Sequence, residues 1–130
     1  MNHAVRCTIL GIAIFGVAQV AFAAAIPECG RLPVRVRDAS RDMSFCLTAI
    51  QPPAGVCGGD GVDVQPFGNN ENRLPRAGRG QGYYEGKARQ DDGSAGTDRL
   101  VFLVTDSASK TYINEKYYSS DHYETFCHSP

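Results

Sequence analysis

The sequence has no excess of positive charge, few histidines and no metal-binding spacing, and each lack removes a class of function. Lys and Arg number 13 against 14 Asp and Glu, a formal net charge of -1. Arg6 is the one charged residue in positions 1–23, so the chain without that segment carries 12 bases against 14 acids, a net charge of -2. This excludes a generic nucleic-acid binder held by a long-range basic field; any contact with phosphate must come from a few convergent cations. Neither a Cys-x-x-Cys pair nor a ligand-spaced pair of histidines is present, which argues against a zinc site, and neither metal nor organic cofactor is expected. Of the three histidines, His3 lies in the leading segment, leaving His122 and His128 to titrate near neutrality. No internal repeat is evident.

What is present begins with an export pattern. Arg6 precedes an almost unbroken apolar run from Thr8 to Ala25, which contains the small-x-small sequence Ala21-Phe22-Ala23. The pattern predicts a signal peptide over residues 1–23, a domain over residues 24–130, and a secreted protein, extracellular or periplasmic in transit. A retained transmembrane helix is the competing reading. The run has about the minimum length to span and no basic stop-transfer residues directly follow it, so no stable membrane association is expected after cleavage. With Cys7 in the signal, Cys29, Cys46, Cys57 and Cys127 remain. An even number in an oxidising compartment predicts two disulfides, and three connectivities stay open.

Residues 26–34, with two prolines, a glycine and Cys29, suggest an irregular arm pinned by a disulfide. Val36, Ala39, Met43, Cys46 or Leu47, and Ile50 recur at helical spacing, which predicts an amphipathic helix, although residues 45–50 would also serve as a short buried strand. Residues 51–61 form a Pro/Gly loop, and from there to Pro75 only the alternation of Val62 and Val64 hints at a strand. Four strand-like segments follow, Tyr83–Gln90, Asp98–Thr105, Lys110–Ser119 and His122–Cys127, with turn residues between them, as in an antiparallel meander. Leu100 to Val104 is apolar on both faces, marking a central buried strand. The expected class is α+β: one N-terminal helix packed on a C-terminal antiparallel sheet of four to five strands, stapled by disulfides, as a monomer.

Taken without any resemblance, the chemistry-bearing residues are few. His128 reads as a solvated residue near the end of the chain, whereas His122 sits at the mouth of a strand, held by the sheet yet open to solvent. A period of two puts Glu85, Lys87 and Arg89 on one face, which can be an ordinary solvated surface. Arg99 opens the next strand and can share that face.

Three groups of residues change this reading: Phe67-Gly68-Asn69-Asn70-Glu71-Asn72-Arg73-Leu74-Pro75; then Tyr83-Tyr84-Glu85 and Asp98-Arg99-Leu100; then Asp121-His122-Tyr123-Glu124-Thr125-Phe126. In order and spacing they resemble the successive motifs of the barnase-like microbial guanyl-specific ribonucleases, bacterial and fungal. The N-terminal half is much less similar. The resemblance implies a metal-independent endoribonuclease acting on single-stranded RNA. Glu85 would be the general base on the ribose 2'-hydroxyl and His122 the general acid on the leaving 5'-oxygen, giving a 2',3'-cyclic phosphate that is then hydrolysed to a 3'-phosphate. Arg99 would neutralise the phosphoryl oxygens. Glu71 and the backbone of Phe67, Gly68, Asn69 and Asn70 would read guanine, with Tyr123 as the stacking ring and Phe67 as the anchor of the loop. A small acidic inhibitor protein is an implied partner. The run Cys46-Leu47-Thr48-Ala49-Ile50 before Pro52-Pro53 resembles a bacterial branch that ties this point to its C-terminus, which implies Cys46 with Cys127 and leaves Cys29 with Cys57.

Asn70 and Ala95 stand where barnase-like members carry arginines, so phosphate binding is short of cations. Fungal members manage with one arginine at the second motif, and Lys87, on the face of Glu85, is expected to supply the missing charge. One extra residue between Pro75 and Glu85 loosens the match at Glu85 relative to His122. Two other readings stand beside the enzyme: a catalytically impaired relative that binds RNA or a protein partner, and a disulfide-stapled extracellular domain unconnected with RNA.

Overall fold

The computed structural model describes residue 16 and residues 25–130. The signal peptide expected over residues 1–23 falls, but for Gly16, outside the described residues. Among those described, no helix is long and apolar enough to cross a membrane.

One helix, α1 (Val34–Thr48), precedes five strands: β1 (Gln65–Phe67), β2 (Gln81–Lys87), β3 (Arg99–Asp106), β4 (Thr111–Ser119) and β5 (Cys127–His128). The strands form one sheet in sequence order, every neighbouring pair antiparallel. This is the expected α+β arrangement, a helix on one face of an antiparallel meander. The helix begins two residues before the apolar periodicity does. Pro33 occupies its N-cap, where its carbonyl accepts from Arg37 N at 3.1 Å, and a proline there gives up no helical donor. It ends where Ala49 turns extended, just ahead of Pro52-Pro53.

The buried apolar stripe of α1, Val36, Ala39 and Met43, packs with Leu100, Phe102 and Val104 of β3. Val36 and Met43 are fully buried, and each side chain contributes about 1.5–3 kcal/mol through the surface it removes from water. Gly86 makes the approach possible: a Cβ there would lie 2.7 Å from Met43 Sδ. The other face of β3, Val101 and Leu103, joins Tyr83, Tyr117 and Leu74 in a second cluster. β3 is thus central and buried on both faces, as its composition predicts.

Asp98, 6% exposed, binds helix to sheet. It accepts from Arg35 at 2.5 Å, from Gln90 at 3.1 Å and from the Tyr118 hydroxyl. Burial alone would raise its carboxyl, but the bonds from Tyr118, Arg35 and Gln90 outweigh burial and hold it below its ordinary value.

The disulfides correct the pairing that the bacterial resemblance implied. Cys29 is joined to Cys127 and Cys46 to Cys57. The N-terminal arm docks beside β5: Cys29 N donates to His128 O and His128 N to Pro27 O, both at 2.7 Å, around a parallel bridge from Glu28 to His128. That docking brings the Cys29 and Cys127 Cα atoms to 4.9 Å. Cys46 lies on the last turn of α1, and the loop that follows folds back to bring Cys57 within 5.6 Å.

Three further expectations change. Val62 and Val64 do not form a strand; Val62 is a buried loop residue, and β1 starts at Gln65. Residues 122–126 form a turn-rich loop, with β5 only at Cys127–His128. His128 is no solvated tail residue either: its ring lies 4.7 Å from that of Tyr117 and Nδ1 is 3.5 Å from Glu115.

Candidate active site

Alternation along β2 points Tyr84 and Gly86 at α1, so Glu85 projects from the opposite face. It sits half-buried between Gln65 of β1 and Val101 of β3. Arg99 pairs with Lys87 two positions along and shares that face diagonally with Glu85. Arg99 is 7% exposed, and one guanidinium nitrogen donates to the carbonyls of Asp98 at 2.9 Å and Gly96 at 3.1 Å. These bonds fix the direction of its planar fork.

The loop after β4 is shaped by short-range polar bonds. Ser119 Oγ accepts from Tyr123 N and donates to Asp121 Oδ1, both at 2.9 Å. Asp121 also accepts from the Thr125 hydroxyl at 2.6 Å and from Thr125 N at 2.9 Å. The Thr125 hydroxyl and N–H, with Ser119, lower the Asp121 carboxyl to about 2. His122 N donates to Thr97 O at 3.1 Å, and the Thr97 hydroxyl to Ser120 O at 2.8 Å, strapping this loop to the turn before Arg99. In that frame His122 and Tyr123 take φ of 55° and 73°. Two consecutive non-glycine residues in the left-handed region store about 1–3 kcal/mol each.

The bend carries the Tyr123 ring to the face of Glu85, with the His122 ring beside it. The exposed His122 ring is 4.9 Å from that of Tyr123, and the Arg99 guanidinium carbon lies 5.8 Å from the Tyr123 ring centroid. Burial, reinforced by the adjacent Glu85 carboxylate and opposed by Arg99, pushes the Tyr123 phenol up to about 12. The hydroxyl of Tyr123 thus lies where Glu85 and Arg99 meet.

On the other side stands the loop after β1. The Asn69 side chain clasps Leu74, donating to its carbonyl at 2.9 Å and accepting from its N–H at 3.1 Å, with Asn69 itself at φ 48°. This Asx-type closure makes the loop compact without regular structure. Phe67 anchors it, stacked on Tyr123 at 5.3 Å and 26° and edge-on to Tyr83 and Phe126 at 6.4 Å. Glu71 is exposed and accepts from Arg73 Nε at 2.7 Å; the same guanidinium reaches the Glu124 carboxylate at 3.0 Å and its carbonyl at 2.9 Å. Between these parts lies a cleft of about 230 Å³.

The structure therefore brings Phe67, Asn69, Asn70, Glu71, Glu85 and Tyr123 to a single cleft and sets Arg99 and His122 against Tyr123. It does not bring Lys87 there. The Lys87 ammonium pairs with Asp63 at 2.5 Å and borders a separate cavity lined by Arg35 and Asp38 of α1. Sequence reasoning missed Arg73, which ties the two loops together, and Asp121, which shapes the one bearing His122. The spacing of Asp121 and Thr125 was the available signal for the second; for Arg73 there was none beyond its place two residues after Glu71.

Asn70 and Ala95 leave this site with neither of the additional arginines; Arg73, already paired, lines the cleft, and Arg99 stands against Tyr123 at its border. A half-buried carboxylate, an exposed imidazole beside Tyr123, a fixed guanidinium and a carboxylate-bearing loop are groups that can serve acid–base and electrostatic chemistry on a phosphodiester. No curated protein matches the chain. A family model described as ribonuclease matches residues 25–129, nearly all that the structure describes, and the chain belongs to that ribonuclease family.

Proposed function

We propose that the protein is an exported, guanyl-preferring endoribonuclease that cleaves single-stranded RNA by transesterification, without a metal. One observation carries the reading: Glu85, Arg99 and Tyr123 converge on the face of the sheet that also bears the Glu71 loop. Glu85 takes the proton from the ribose 2'-hydroxyl, and that oxygen attacks phosphorus to form the 2',3'-cyclic phosphate. His122, open to solvent at the rim, protonates the departing 5'-oxygen. Water then opens the cyclic ester with the two roles exchanged, leaving a 3'-phosphate. Arg99 meets the charge that develops on the phosphoryl oxygens. Glu71 accepts from guanine N1-H and the 2-amino group while the backbone of residues 67–70 donates to O6, and the base stacks on Tyr123 after parting it from Phe67. The Cys29–Cys127 and Cys46–Cys57 bridges fit an oxidising compartment and so support export.

The test uses the oxidised protein without residues 1–23, on short single-stranded RNAs each containing one G, A, C or U, in EDTA, with product masses determined. A cut 3' to G yielding a cyclic phosphate, abolished by Glu85→Gln and by His122→Ala, is expected, with a bell-shaped dependence on pH. Cleavage that survives both substitutions refutes the assignment. The scarcity of free cations in the cleft favours a second reading, a relative that binds RNA or a protein partner without cutting. Tight binding of the single-G strand with no product distinguishes it.

A further inference from the structure

We propose that a second cleft, on the helix side of the sheet, binds the RNA chain away from the point of cleavage; this rests on single-stranded RNA being the substrate. While Val36, Ala39 and Met43 face inward, Arg37, Arg41 and Phe45 recur every fourth residue along the outer surface of α1. With Arg31 and Leu32 of the N-terminal arm and Lys116 of β4 they border a cleft of about 650 Å³, against about 230 Å³ for the cleft beside Glu71.

Its side chains carry charge of one sign, set against the single carboxylate of Pro130 at the rim. No Asp or Glu side chain lines it. Arg41 is paired along the helix with Asp38 and Asp42, but Arg31, Arg37 and Lys116 have no ion-pair partner among the described residues. In a chain with more acids than bases, three unneutralised cations in one concavity are complementary to a polyanion. The cations around Glu85 are by contrast engaged: Arg73 with Glu71 and Glu124, Lys87 with Asp63, Arg99 with turn carbonyls. Phe45, 48% exposed, adds an aromatic surface beside them. Cations that follow a backbone next to a ring on which an unpaired base stacks are the elements of single-strand binding, and the ring requires a base free of a duplex.

The second cleft lies on the Phe102 face of β3 and Glu85 on the Val101 face, so a strand occupying both must round the edge of the sheet. A long RNA reaches both; a dinucleotide reaches only the first. The cation-poor cleavage site is thereby supplemented with phosphate contacts made elsewhere.

The experiment compares wild type with Arg37→Gln/Lys116→Gln, and with Arg31→Gln as a variant outside helix and sheet, each checked for an unchanged melting curve. Substrates are a guanylyl dinucleotide and a long single-stranded RNA with one central guanine. The same long strand, fully 2'-O-methylated and therefore uncleavable, is titrated by fluorescence anisotropy across a salt series. For the double variant KM on the long RNA should rise on the order of tenfold with kcat unchanged, and the log–log salt slope should fall by about 0.7 for each lost cation. Dinucleotide cleavage should not change. Unaltered KM and slope on the long strand overturn the second site while leaving the catalytic reading intact. A wild type that cuts neither substrate, yet binds the methylated strand with the predicted loss of slope in the variants, supports the second site and overturns the catalytic reading.

Discussion

Removing the two disulfides one at a time should produce unequal losses, because they enclose very different lengths of chain. Cys29–Cys127 spans 98 positions and Cys46–Cys57 spans 11. Loop-closure entropy in the unfolded state then assigns about 4.7 kcal/mol to the first and about 2.8 kcal/mol to the second. Domains of this size are stable by only about 5–15 kcal/mol, so loss of the long bridge consumes a large part of the total. At about 4 °C per kcal/mol, Cys29→Ala/Cys127→Ala should melt roughly 19 °C below wild type, and Cys46→Ala/Cys57→Ala roughly 11 °C below it. The assay is thermal and urea unfolding of the oxidised proteins, with non-reducing peptide mapping by mass spectrometry on wild type. A Cys46–Cys127 peptide would refute the pairing. Equal losses, or a larger loss from the short bridge, would refute the entropic account.

Asp98→Asn should destabilise the fold by about 1–3 kcal/mol, since Arg35 and Tyr118 lose a charged acceptor. The Asp98 carboxyl is held below its ordinary 3.8, so its stabilisation is complete above the unfolded value and is lost as pH falls through the folded one. Wild type should therefore lose stability more steeply than the variant on acidification below about pH 4, as urea midpoints taken along a pH series will show. Lys87→Met should leave turnover within about threefold, because the ammonium is already held by Asp63. A loss of tenfold or more in steady-state assays on a dinucleotide would place Lys87 in the reaction after all. Arg73→Gln should loosen both loops and lower the preference for guanine over adenine by about tenfold, an energy of about 1.4 kcal/mol; an unchanged ratio of kcat/KM values would show that Glu71 is positioned without it.

Much of the scaffold was legible because its signals were redundant. Leu100 to Val104 is apolar at five successive positions between turn residues, and it forms the strand covered on both faces that this pattern predicts. The helix was recognised from Val36, Ala39 and Met43, but periodicity marks the buried face and not the first turn, so its start at Val34 was missed. Residues 122–126 alternate well enough to read as a strand; the bonds of Ser119 and Asp121 to Tyr123 and Thr125 instead commit that backbone to a tight loop. Such local competition between side chain and backbone leaves little trace in hydrophobic pattern. The bridges were illegible for another reason, since their pairing depends on where the arm of residues 25–30 docks. The site was visible residue by residue, yet the engagement of Lys87 by Asp63 was not, because Asp63 lies 24 positions away in an irregular loop.

The left-handed backbone at His122 and Tyr123 sets folding against chemistry. Glycine adopts that conformation without strain, so at the exposed His122 it would be the stabilising choice were stability alone selected, whereas the Tyr123 ring is also held by its packing on Phe67. A variant library enriched only for resistance to heat or protease should therefore accumulate glycine at position 122 and lose nuclease activity as it does. Retention of the imidazole under such a screen would mean that it holds the fold together, whereas its loss would mark it as maintained by function.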